Sequence, residues 1–289
     1  MSMKNIYIIF VAVFFLACKS SKNEDIFANL SAEEREELAT FYHNISITKY
    51  HYQYQTGLLH RMYKDSALMA APDHVEYTQR YSYSYKKSGE HIRAMELLNK
   101  AVDMDVPNGK TNALEYKAWS MLYFYRDYES TIEDVDKINE MNSPHPYSIC
   151  HGEPCLLLKA QALYQLKRFQ EAIDCFEKLM NIEAEQGFEP KDNFFARFYI
   201  ARAYTHLNRY DKAFETYESL LNDFPKFTEV HYYIGQLYIE QGKKEIAKKH
   251  FEEAKKLFSE NYKVVQEPYI ERFDEVFAYQ VDEALESLK

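Results

Sequence analysis

Ile200-Ala201-Arg202-Ala203-Tyr204 is followed 34 residues later by Ile234-Gly235-Gln236-Leu237-Tyr238, and the match runs on: Tyr210, Ala213, Tyr217 and Leu220 align with Lys244, Ala247, Phe251 and Ala254. A fixed period of this length marks an architecture that repeats one supersecondary unit. Small residues (Ala201, Gly235, Ala213, Ala247) stand where two helices must approach closely, with large apolar ones (Tyr204, Tyr238, Tyr217, Phe251) filling the space beside them. The connections Leu207-Asn208-Arg209-Tyr210 and Gln241-Gly242-Lys243-Lys244 are short, which makes the two helices of each unit antiparallel neighbours. Pro225 closes one unit because proline cannot continue a helix.

Over residues 194–259 this pattern resembles the tetratricopeptide repeat. Three earlier units follow in frame. Residues 153–182 carry Ala160, Leu163, Phe169, Ala172, Phe176 and Leu179, with Lys159 at a usually apolar position. Residues 112–142 carry Trp119, Leu122, Tyr128, Val135 and Ile138, with Thr131 in place of the small alanine. Residues 75–105 carry Tyr81, Ser82, Tyr85, Gly89, Ala94, Leu98 and Ala101. The spacing from Ala94 to Thr131 is 37, and from Thr131 to Ala172 and Ala172 to Ala213 it is 41, so loops have grown at 105–109, 143–146 and 183–193. Insertions in such a stack map to loops and leave the stack intact.

The resemblance implies an all-α fold, a right-handed α-solenoid of helix-turn-helix repeats at about 75–108, 112–145, 153–186, 194–227 and 228–261, within one domain over 30–289. Terminal helices complete it. Ser31-Ala32-Glu33-Glu34 has the form of a capping box opening a helix through Leu38, Phe41 and Tyr42. A further helix pair is expected over 43–69, before the Ala71-Pro72-Asp73 break. At the other end 262–289 is expected to cap the last repeat, with Phe273, Val276, Phe277, Val281 and Leu285 at helical spacing over 269–288.

Composition agrees with long helices. Among 289 residues there are only seven Gly and eight Pro, while 26 Tyr and 19 Phe bring aromatics to 16%, more than a bundle of Leu and Ala needs. A net charge of −10 speaks against nucleic acid, whose phosphates require a basic surface.

Residues 1–17 have the form of a signal peptide, with Lys4 as the positive region and an apolar run from Ile6 to Leu16. Cys18 follows Ala17 and resembles the lipidated cysteine of a bacterial lipobox of the looser, Bacteroidetes-like kind, since Phe15 and Leu16 depart from the commonest pattern. Two acyl chains there give stable anchoring, with 18–29 as a polar tether. The implied location is the cell envelope, as a lipoprotein at the outer membrane, with the periplasmic and the surface face both open.

Catalytic chemistry has little to stand on. No phosphate-binding glycine loop, nucleophile elbow or His-Glu-x-x-His pattern is present, so no enzyme, cofactor or metal is expected. Cys150-His151-Gly152-Glu153-Pro154-Cys155 is the one segment with the look of a site; a disulfide between Cys150 and Cys155, or free thiols, outweighs a mixed-ligand metal. Cys175 beside Phe176 is expected to be a buried hydrophobe.

In the family, the first helix of each repeat lines a concave surface. Carried over residue by residue, this gives Gln79, Tyr83 and Lys86; Tyr116, Ser120 and Tyr123; Leu157, Gln161 and Tyr164; Phe195, Phe198, Arg202 and Thr205; and Glu229, Tyr232, Gln236 and Ile239. From these, Tyr83, Tyr116, Tyr123, Gln161, Tyr164, Phe198, Arg202, Tyr232 and Gln236 are the expected groove for a partner. The lysine and asparagine clamp for C-terminal carboxylates is missing. The resemblance implies a scaffold or adaptor that binds a protein or peptide, within a secretion, transport or assembly complex. A glycan-binding lipoprotein of the starch-utilisation kind and an immunity protein blocking a toxin are the alternatives.

Overall fold

The computed structural model describes residues 25–50, 55–143, 147–260, 262 and 270–289. The signal peptide and Cys18 lie outside them. Among the described residues there are thirteen α-helices and one two-residue β-hairpin, an all-α repeat solenoid fold. They fall into two compact units, within 1–113 and within 114–289.

In the first unit, α1 (Ala32–Thr48) begins on the expected capping box: Ser31 Oγ accepts from the Glu34 amide at 3.3 Å, and Glu34 Oε2 accepts from the Ser31 amide at 2.9 Å. α1 runs past His43, whose ring is buried on the inner face, and packs on α2 (Leu58–Ala70). The pair expected over 43–69 is therefore corrected to one hairpin whose first helix starts at Ala32. Phe27, Ala39, Tyr42, Ala67 and Ala70 form its core with Tyr77 of α3 (Val75–Lys87). α3 turns at Gly89 into α4 (His91–Asp105), which buries Ala94, Leu97, Leu98 and Ala101.

The second unit is a run of four hairpins: α5 (Asn112–Ser120) with α6 (Tyr128–Met141), α7 (Cys155–Gln165) with α8 (Phe169–Glu185), α9 (Phe194–His206) with α10 (Tyr210–Asp223), and α11 (Thr228–Glu240) with α12 (Lys244–Ser259). The departures from the repeat pattern are satisfied locally. Thr131 is fully buried and its hydroxyl donates to the Asp127 carbonyl at 2.8 Å, while the Lys159 ammonium pairs with Asp136. A Cβ on Gly235 would lie 2.5 Å from the Phe251 ring, so glycine is what lets α11 and α12 meet.

Two local features aim side chains inward. α5 ends in a π-helical turn over Met121–Tyr125, a geometry that re-aims side chains relative to an α-helix, and Tyr123 sits in it. Before α7, β1 (Ile149–Cys150) pairs antiparallel with β2 (Glu153–Pro154) across His151 and Gly152, both at positive φ as a tight two-residue turn requires. Cys150 and Cys155 close this hairpin with a disulfide.

The C-terminal cap differs from the continuous helix expected over 269–288. Among the described residues of that range only α13 (Ala278–Glu286) is helical. Val276 and Val281 pack with Ala247, Phe251 and Ala254 of α12, while 270–277 leaves the helical path. The reason is that Arg272, Phe273 and Asp274 find partners in the second unit that a helix could not reach.

Candidate functional site

Residues 271–274 lie against α7, α9 and α11 and against the π-helical turn that follows α5, and the contacts are sequence-distant and specific. Asp274 Oδ2 accepts from Arg202 Nε at 2.8 Å and from the Tyr164 hydroxyl. Arg272 Nη1 donates to Glu153 Oε1 at 2.8 Å and to the Tyr123 hydroxyl at 3.1 Å, and its guanidinium stands 4.7 Å from the Phe195 ring centroid. The Phe273 ring stacks on Tyr123 at 6.0 Å, meets Tyr128 edge-on at 5.9 Å, and faces the Arg126 guanidinium at 4.5 Å.

The segment's backbone is held as well. The hydroxyl of Tyr199 donates to the Phe273 carbonyl at 3.0 Å, and that of Tyr233 to the Asp274 carbonyl at 3.1 Å. Tyr199 and Tyr233 lie 34 residues apart, so one step of the repeat becomes one step along the bound chain. Arg126 Nη2 donates to the Glu271 carbonyl at 2.9 Å. The held segment is a turn, with Asp274 at φ 56°, and carbonyl contacts of this kind fix its backbone without regard to its side chains.

Burial decides the protonation of these groups. It pushes the phenols of Tyr123, Tyr164 and Tyr199 far above the ordinary tyrosine range, so they stay neutral and keep the proton they donate. Burial likewise lowers His206, whose Nε2 lies 3.1 Å from the Tyr164 hydroxyl. Arg272 meets Glu153 and Asp274 meets Arg202, so the resident segment lies in one direction along the groove.

Of the expected groove residues, the structure brings Tyr123, Gln161, Tyr164 and Arg202 together. Gln161 works from behind, its Nε2 donating to the Tyr123 hydroxyl at 2.9 Å while that hydroxyl donates to Glu153 at 2.8 Å. Tyr232 and Gln236 line a neighbouring cavity of about 430 Å³ together with Arg202, His206, Tyr210, Tyr233 and Glu240. Phe198 packs instead on Phe227 and Tyr233, and Tyr116 lies between Trp119 and His151. Tyr83 belongs to the first unit, with the Lys86 ammonium 5.1 Å from its ring centroid.

Glu153, Tyr199 and Tyr233 were missed as groove residues. The last two sit one position beyond Phe198 and Tyr232, about 100° further round their helices, and the signal that could have found them was their own 34-residue spacing. Among the described residues no group of three His, Cys, Asp or Glu side chains is placed to hold a metal ion. Cys175 is buried, and burial raises its thiol to about 11.

Models of the tetratricopeptide repeat match residues 153–226 and 228–261. Among curated proteins none matches the chain. Among solved structures, the anaphase-promoting-complex hetero-tetramer Cut9-Hcn1 is similar with a TM-score of 0.57 at 14% identity, over 89% of this chain and 44% of that one. This chain thus spans less than half of that protein. PilF from Pseudomonas aeruginosa gives 0.56 at 14% identity over 78% of this chain and 94% of that one. A tetratricopeptide repeat protein from Parabacteroides merdae gives 0.53 at 17% identity over 86% and 84%. At these identities the likeness concerns the fold alone.

Proposed function

We propose that this chain, a tetratricopeptide-repeat scaffold for protein–protein interaction, binds an irregular, turn-containing peptide segment of a protein partner in the groove of its second unit, without catalysing a reaction. The observation that carries this is the groove's hold on 271–274: side-chain donors from successive repeats engage the carbonyls and side chains of an irregular stretch of chain. A peptide of comparable chemistry is what such a surface accommodates.

The finer reading is an envelope-anchored adaptor, tethered through acylated Cys18 and working in an outer-membrane secretion, transport or assembly complex. The Ala17-Cys18 junction after an apolar run supports the anchor, and the Cys150–Cys155 disulfide supports an oxidising compartment. The charge of −10 supports partners other than nucleic acid.

Affinity purification from detergent-solubilised envelopes tests this. The wild type is expected to retain one stoichiometric protein. Arg202→Gln leaves the chain in the envelope and loses that protein, whereas Cys18→Ser moves both to the soluble fraction. Retention on polysaccharide with no protein partner overturns the peptide reading, and an unchanged envelope fraction for Cys18→Ser overturns the anchor.

A further inference from the structure

The groove's own occupant shows what the groove selects, and we propose that the partner segment carries the tripeptide Arg–aromatic–Asp, of which Arg272-Phe273-Asp274 is the chain's resident copy. This rests on the peptide-binding reading above and sharpens it to a sequence.

Each subsite has a chemistry of its own. The first pairs the Glu153 carboxylate with two aromatic rings, Tyr123 and Phe195, at 5.3 and 4.7 Å from the guanidinium. That combination suits a planar, forked cation and discriminates against lysine. The second presents a tyrosine face, a tyrosine edge and the Arg126 guanidinium, all of which favour an aromatic ring. In the third, Arg202 Nε and the Tyr164 hydroxyl converge on one carboxylate oxygen. Asparagine there lacks the charge, and glutamate overshoots by a methylene. Tyr199 and Tyr233 fix the register by taking consecutive carbonyls, so the three side chains must arrive in this order.

The way the resident copy is held leaves it exchangeable. Val276 and Val281 anchor α13 on α12 independently, so displacing the tripeptide costs the burial of one apolar side chain, Phe273, and leaves α13 docked. The two charged side chains on either side of Phe273 keep an edge to solvent, Arg272 and Asp274 being 16% and 22% exposed. Beside the aspartate clamp the 430 Å³ cavity runs on from Arg202 and is not filled by the described tail. A partner with further residues at that point gains contacts that the resident copy does not make.

The test uses the full chain and a fluorescein-labelled synthetic peptide with the sequence of residues 270–276, followed by anisotropy. A tethered copy competes at roughly millimolar effective concentration, so Arg272→Ala/Asp274→Ala in the chain is expected to tighten probe binding by roughly tenfold or more over wild type. On that background, a probe with alanine at either charged position is expected to bind roughly tenfold more weakly, as is the normal probe when Arg202→Gln is added. Helix content by circular dichroism verifies folding. Arg272→Lys/Asp274→Asn supplies the same comparison at smaller amplitude if the double alanine variant does not fold. A folded variant that binds the probe no better than a scrambled peptide overturns the motif. If that variant still captures the envelope partner, the motif alone falls; if it captures neither, peptide binding by the groove falls too.

Discussion

Lys64 Nζ lies 2.9 Å from His43 Nδ1 in the first unit, with both residues almost wholly buried. Burial, with Arg80 adding repulsion, lowers Lys64 to about 7, and burial with the Lys64 charge lowers His43 to about 4. The unfolded chain therefore binds more protons than the folded one from about 4 to 6.5 through His43 and from about 7 to 10.5 through Lys64. These groups make stability rise with pH across both windows. Replacing the pair by His43→Leu/Lys64→Met is expected to raise stability at pH 6 by roughly 1–4 kcal/mol and flatten that rise, read by urea denaturation at pH 6 and pH 9. An unchanged slope sinks the assignment. Neither buried charge was legible in sequence, because a lysine or histidine on a helix is ordinarily solvated. Gly235 was legible, since the period alone placed a small residue against Phe251.

Among elements, the helices announced themselves through spacing, and the bound segment did not. Apolar spacing promised a helix over 269–288, but side-chain partners on other repeats outcompeted helical hydrogen bonds over 270–277. The β-hairpin was half visible: its cysteines suggested a bridge, while its role in presenting Glu153 to Arg272 required the fold. Closing so short a loop is worth about 2 kcal/mol. Cys150→Ser/Cys155→Ser is expected to lower the thermal midpoint correspondingly, and a reducing agent should do the same to the wild type. If reduction leaves the midpoint unmoved, the hydrogen-bonded turn suffices to hold the hairpin.

Over the second unit as a whole, the groove ties together residues far apart in the chain: Arg126 to Glu271 spans 145 positions, and Arg202 to Asp274 spans 72. A repeat stack otherwise gains stability only from neighbours. Asp274→Ala leaves Arg202 short of its carboxylate and is expected to cost roughly 2–4 kcal/mol. Amide hydrogen exchange should quicken in α7, α9 and α11 as well as in the tail; acceleration confined to 270–277 would show that the tail is merely laid on a stack stable without it. Apart from the 34-residue spacing of Tyr199 and Tyr233, no period or composition points to these long-range contacts, which is why the scaffold was readable and its occupant was not.

The order of the chain adds one consequence. Every helix that contributes to the groove precedes Arg272, so a chain folding from its N-terminus completes the cleft while the residues that close it are still unmade. In a chain that folds in that order the site passes once through a stage in which its helices are present and its resident segment is not. Under the proposed peptide binding, a partner present at that stage meets no competitor, whereas one arriving later must wait for the tail to let go.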